Sequence, residues 1–101
     1  MSVYVDEAIW PYGRMMMCHM MADTTAELLK MADRIGVDRR HVQKAGTPGE
    51  HFDICKSKRA KAVEYGAVEI TGRESVAIIR KRRETYAAGN PPAVSSKGNE
   101  E

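Results

Sequence analysis

Apolar and polar positions change period several times along this chain, and each change predicts an element. Val3-Tyr4-Val5 is short, β-branched and aromatic and stops at Asp6, the pattern of a first strand. Trp10-Pro11 and Gly13 then mark a loop over 8–14, since Pro11 steers Trp10 away from helical dihedrals. Met15 to Met21 is an almost unbroken apolar run, the length of a buried extended segment. From Thr24 the period becomes helical: Leu28, Met31, Ala32 and Ile35 share one face, Thr24 and Glu27 have capping-box spacing, and Gly36 closes the turn. Val37 is placed for the hydrophobic contact that follows such a stop.

A short strand is expected around His41-Val42-Gln43, followed by a loop holding Gly46, Pro48 and Gly49. The next helix is expected from about Ile54 to Tyr65, opened by Asp53 and closed by Gly66. Ala67 to Thr71 alternates apolar and polar residues and predicts a strand. Thr71 and Glu74 repeat the capping-box spacing ahead of a third helix ending in Arg80-Lys81-Arg82-Arg83, where cations complement the helix dipole. Beyond Glu84, Gly, Pro, Ser and Asn replace periodic apolar residues, the composition of a disordered tail. The expectation is therefore an α/β domain over residues 1–83 with a disordered tail over 84–101. Strands alternating with helices predict a small, mostly parallel sheet of three to four short strands with three helices.

Composition changes this picture little. With 43% apolar and 30% charged residues in a 101-residue chain, usage is that of one ordinary globular domain. A net charge of +2 argues neither for nor against nucleic acid. No basic head with an apolar core opens the chain, and no run approaches the roughly 18 apolar residues of a membrane span. A cytoplasmic setting with no membrane partner is expected, with Cys18 and Cys55 reduced.

The chemistry-bearing residues fall at element ends. Asp6 follows the first strand, His19 and Asp23 end the second segment, and His51 and Asp53 precede the second helix. In an open parallel sheet these positions share the carboxyl edge, where helix N-termini offer unpaired N–H groups. Each has a plainer reading: Asp23 and Asp53 as caps, Asp6 as a turn residue, His19 as a satisfied core histidine. Taken together, Asp6, His19, Asp23, His51 and Asp53 form a candidate ligand-binding set, with His19 and His51 as candidate acid–base groups. His19, Asp23, His51 and Asp53 suit one divalent ion such as Zn²⁺, Mn²⁺ or Fe²⁺. Adjacent Cys18 and His19 point to opposite faces of a strand, which argues against a shared thiol–imidazole zinc site. The methionines are core filler, and the basic runs 56–61 and 80–83 read as solvated helix faces that also permit phosphate contact. Metalloprotease and P-loop patterns are absent.

Val3-Tyr4-Val5-Asp6, Trp10-Pro11, Cys18-His19, Ala22-Asp23, Glu27-Leu28, Arg39-Arg40, His51-Phe52-Asp53 and Gly66-Ala67 resemble, in order and spacing, the bacterial and phage proteins grouped as domain of unknown function 4031. The resemblance covers roughly residues 3 to 79. It implies that Asp6, His19, Asp23, His51 and Asp53 are the family's polar signature, and that Cys18, where relatives carry Ser, is dispensable. It brings no activity with it. Three functions are consistent with the residues: binding of a phosphate-bearing nucleotide or nucleic acid, metal-dependent phosphoester hydrolysis, and a phage-type protein-interaction module whose polar residues are caps.

Overall fold

The computed structural model describes residues 2–7 and 10–87. Among these the strands are β1 (Val3–Val5), β2 (Trp10–Tyr12), β3 (Met15–Ala22), β4 (Phe52–Cys55) and β5 (Val68–Glu69), and the helices are α1 (Thr25–Ile35), α2 (Lys56–Glu64) and α3 (Gly72–Ala87). None of the helices is long and apolar enough to cross a membrane.

β3 is the centre of the sheet. Met20 pairs with Val5 of β1 on one edge and with Phe52 of β4 on the other, and Met17 likewise pairs with Trp10 of β2 and Cys55 of β4. β1, β2 and β4 all run antiparallel to β3, and only β5 pairs parallel, alongside β1. The sheet is mixed and five-stranded, which corrects the expectation of a mostly parallel one of three to four strands. The cause is local. Tyr12 pairs with Met15 across Gly13-Arg14, and Gly13 has φ +62°. That is a two-residue hairpin, which requires positive φ at its tip and turns the apolar run back along β1. The 8–14 segment expected as loop therefore contains β2.

Helix α1 forms where its pattern placed it. Thr24 Oγ1 accepts the Glu27 N–H at 3.2 Å, and Gly36 (φ +81°) lets the Val37 N–H reach the Ala32 carbonyl at 2.8 Å. Its Leu28, Met31, Ala32 and Ile35 pack with Ala62 of α2 against Cys18, Met20, Ala22, Phe52 and Ile54. Each large side chain so buried contributes about 1.5–3 kcal/mol. Around His41 the chain forms a single 3₁₀ turn, Arg39–His41, with an isolated bridge from Gln43 to His51 instead of a strand. The second helix begins at Lys56 because 52–55 is committed to β4, so Asp53 lies in a strand and does not open a helix.

The opposite face of β3 carries Met17, His19 and Met21, and α3 lies over it. A complete capping box starts α3: the Thr71 N–H donates to Glu74 Oε1 (2.8 Å) and the Glu74 N–H to Thr71 Oγ1 (3.1 Å). The helix continues to Ala87, past the expected boundary at Arg83. The remainder of the expected tail, 88–101, lies outside the described residues. Between α3, the sheet and the 44–49 loop is a cleft of about 600 Å³.

Candidate metal centre

The geometry at the cleft floor starts with the backbone. Asp6 extends the β1–β3 ladder by one bond, its N–H donating to the His19 carbonyl at 3.1 Å. Both carboxylate oxygens then accept from that same residue: Oδ1 from the His19 N–H at 2.6 Å, Oδ2 from ring Nδ1 at 2.7 Å. Arg59 Nε donates to the Asp6 carbonyl at 2.7 Å. Asp6 is 5% exposed, and a buried carboxylate is tolerable only with such donors. The pairing places the neutral ring's proton on Nδ1 and leaves the lone pair on Nε2, the carboxylate–histidine arrangement that orients metal ligands.

Asp53 stands directly across from His19 in the β3–β4 register, so both side chains leave the same face. His51 lies two residues before Asp53 and shares that face. Its ring meets that of His19 edge-on, centroids 5.0 Å apart and planes at 79°. His51 Nδ1 donates to the Gly49 carbonyl at 2.6 Å, while Nε2 is 3.2 Å from Asp53 Oδ1. A ring protonated on Nδ1 alone would aim a lone pair at a carboxylate oxygen, which is repulsive. A second ring proton or a cation shared between Nε2 and the carboxylate resolves it. One donor atom each from His19, His51 and Asp53 falls within 4.8 Å of the others.

Four of the five expected residues are thus brought together, three at the centre and Asp6 behind His19. Asp23 is not. Its oxygens accept the Ser2 N–H (2.8 Å) and the Tyr4 hydroxyl (2.9 Å). Burial, aided by that bond, raises the Tyr4 phenol above its ordinary pKa. Because β3 is antiparallel to β1, the carboxyl end of β3 lies beside the amino end of β1, roughly 13 Å along the strand from His19. For the same reason the centre sits on a sheet face and not along a shared carboxyl edge.

Cys18 points into the core, away from His19, and burial pushes its thiol up to about 12. Cys55, at the N-cap of α2, is lowered chiefly by the Ser57 hydroxyl 3.2 Å away and then by the Lys58 backbone. Both are free thiols. Iodoacetamide should therefore label Cys55 first in the folded protein, more slowly in Ser57→Ala, and Cys18 only on unfolding. Peptide mapping that finds Cys18 labelled at the native Cys55 rate would contradict this placement.

A family profile described as protein of unknown function (DUF4031) matches residues 3–82. The chain belongs to that family. The match spans every described strand and reaches into α3 as far as Arg82, so that Arg83 of the cleft lining lies just outside it. No curated protein and no solved structure gives a significant match. The DUF4031 chain therefore carries its functional information in its own geometry.

Three features of that geometry were not foreseen: β4, the cleft, and Glu50. Glu50 is 2% exposed and accepts from Thr25 Oγ1 (2.8 Å) and the Gly46 N–H (3.0 Å), fixing the loop that carries His51. Arg82 of α3 closes over it, with Nη1 3.4 Å from the Glu50 carbonyl and Nη2 3.8 Å from its carboxylate. The β-branched, aromatic pair Phe52 and Ile54 was the available signal for β4. Nothing local marks Glu50.

Proposed function

We propose that this chain is a metal-dependent phosphoester hydrolase, its ion held by His19, His51 and Asp53. One observation carries the reading. Each imidazole commits Nδ1 to a fixed acceptor, Asp6 or Gly49, and both rings converge with the Asp53 carboxylate within 4.8 Å. Two imidazoles and a carboxylate suit Zn²⁺, Fe²⁺ or Mn²⁺ and leave coordination positions open to water and substrate. The ion would supply a nucleophile at neutral pH and offset phosphoryl charge. In the reaction a water oxygen bonds to phosphorus, the bond from phosphorus to the leaving oxygen breaks, and the proton given up by water ends on the departing alcohol. The half-exposed His19 ring borders the cleft, so substrate reaches the centre from α3's side.

Binding of a phosphate-bearing ligand without chemistry is the second reading, favoured by Lys44, Arg80 and Arg83 along the same cleft. The first experiment is elemental analysis of purified protein before and after chelation, then after Zn²⁺ or Mn²⁺ return. A stoichiometric ion is expected, lost in the His19→Ala/His51→Ala double variant while its circular dichroism remains native. A metal-free protein whose melting temperature no divalent ion raises would remove the hydrolase reading. A loaded protein that binds phenyl phosphate but releases no phosphate would leave the binding one.

A further inference from the structure

We infer that Lys44, Arg80 and Arg83 form a phosphate seat facing the metal centre, and that its ligand is a small phosphate monoester with a flat or apolar organic group. The inference deepens the hydrolase reading and rests on it for the ion, but not for the seat itself. The cleft wall nearest these cations combines two chemistries. Lys44 comes from the loop and Arg80 and Arg83 from successive turns of α3, while Met21, Val76 and Ile79 make an apolar surface beside them. None of the three cations makes an ion pair with a described residue, whereas Arg39, Arg40, Arg59 and Arg82 each face a carboxylate elsewhere. Among the described residues that line the cleft none is a carboxylate.

Lys44 adds a second, independent observation. It is the only non-glycine among the described residues with positive φ, +53°, a conformation that disfavours a side chain with a Cβ. The turn holds it there: Thr47 donates to the Lys44 carbonyl from both its N–H (3.1 Å) and its hydroxyl (2.7 Å). Its stem lies over Gly49, close enough that a Cβ there would sit 3.3 Å from Lys44 Cδ. Gly49 is the residue whose carbonyl fixes His51. Glycine would fit this backbone without strain, and the lysine that stands there lines the cleft with its stem against Gly49.

Size and polarity select the ligand class. About 600 Å³ is the range of small-molecule sites, ample for a mononucleotide. The hydroxyls of a bare sugar phosphate would face Met21, Val76 and Ile79 without partners, while an aromatic group or base covers them favourably. Phosphate oxygens take charge-assisted bonds from two guanidinium groups and an ammonium.

The test is calorimetric titration of phenyl phosphate, adenosine 5′-monophosphate, glycerol 1-phosphate and unphosphorylated (dT)10 into the full chain, with Zn²⁺ and with chelator. Each protein's metal content is measured alongside. Phenyl phosphate and the nucleotide are expected to bind more tightly than glycerol 1-phosphate and (dT)10. Arg80→Gln/Arg83→Gln should weaken both roughly 100-fold, and Lys44→Gly roughly tenfold with an unchanged or higher melting temperature. Metal content should not change in either variant. Unweakened binding in both variants, or preference for (dT)10, would overturn the seat while leaving the metal centre standing. Weakened binding in variants of a protein that holds no metal would keep the seat and remove the metal centre. Failure of both monoesters to bind either form also overturns it.

Discussion

Replacing Glu50 with alanine is expected to destabilise the fold by about 3–5 kcal/mol, the cost of leaving a buried charge without its partner. Arg82 is 7% exposed; among the described residues its Nε has no hydrogen-bond partner, and its other nitrogens reach Glu50 at 3.4 and 3.8 Å. Removing the carboxylate strands that guanidinium and also takes the acceptor from Thr25 at the start of α1 and from the Gly46 N–H. A domain of this size has about 5–15 kcal/mol to lose, so the urea midpoint should fall by about a fifth or more. The compensating change separates charge from packing. Glu50→Ala/Arg82→Met removes both charges and keeps an apolar stem over the loop, and it should recover part of the loss. A double variant no more stable than Glu50→Ala would mean that the guanidinium is not what Glu50 serves. The site depends on the same network, because Glu50 immediately precedes His51 and pins the turn beside it.

The helices were legible because their signals are local. Thr24, Glu27 and Gly36 specify where α1 begins and ends, and Thr71 with Glu74 does the same for the start of α3, through bonds between residues at most four or five apart. The sheet was legible only as a set of apolar runs. Whether Met15–Ala22 returns beside β1 or crosses over to lie parallel depends on Gly13-Arg14, two residues inside a segment dominated by the Trp10-Pro11 loop signal. Taking 8–14 as loop left no hairpin, and alternation of strands and helices then favoured a parallel order. The error passed into the site. His19, His51 and Asp53 are joined by the β3–β4 register and Asp6 reaches His19 through the antiparallel β1–β3 ladder, pairings that the expected order did not contain. Strand direction also decides Asp23, which the antiparallel pairing carries to the other end of β3. The Glu50–Arg82 contact joins residues 32 apart and had no signature in periodicity.

Asp6→Asn should lower metal affinity about 10–100-fold, the usual cost of losing the partner behind a ligating histidine. The substitution keeps the shape and changes one atom's role. Asp6 now accepts two donors from His19, the backbone N–H and ring Nδ1. An amide offers one carbonyl and one NH₂. If the carbonyl keeps the backbone N–H, the NH₂ faces Nδ1 and favours the tautomer protonated on Nε2, which cannot ligate. If the ring keeps its tautomer instead, a buried backbone donor meets an NH₂, at about 1–3 kcal/mol in stability. Asp23→Asn is the matched control, a carboxylate that also accepts two donors but belongs to the other end of β3. There the Tyr4 hydroxyl can turn to accept from the amide, so stability should change little and metal affinity not at all. The measurement is Zn²⁺ affinity by competition with a chelating dye, paired with the urea midpoint for each variant. Equal losses of affinity in the two variants would tie the effect to general stability and remove Asp6 from the centre. A loss confined to Asp6→Asn, larger than its change in midpoint accounts for, places it behind His19 as the residue that aims Nε2.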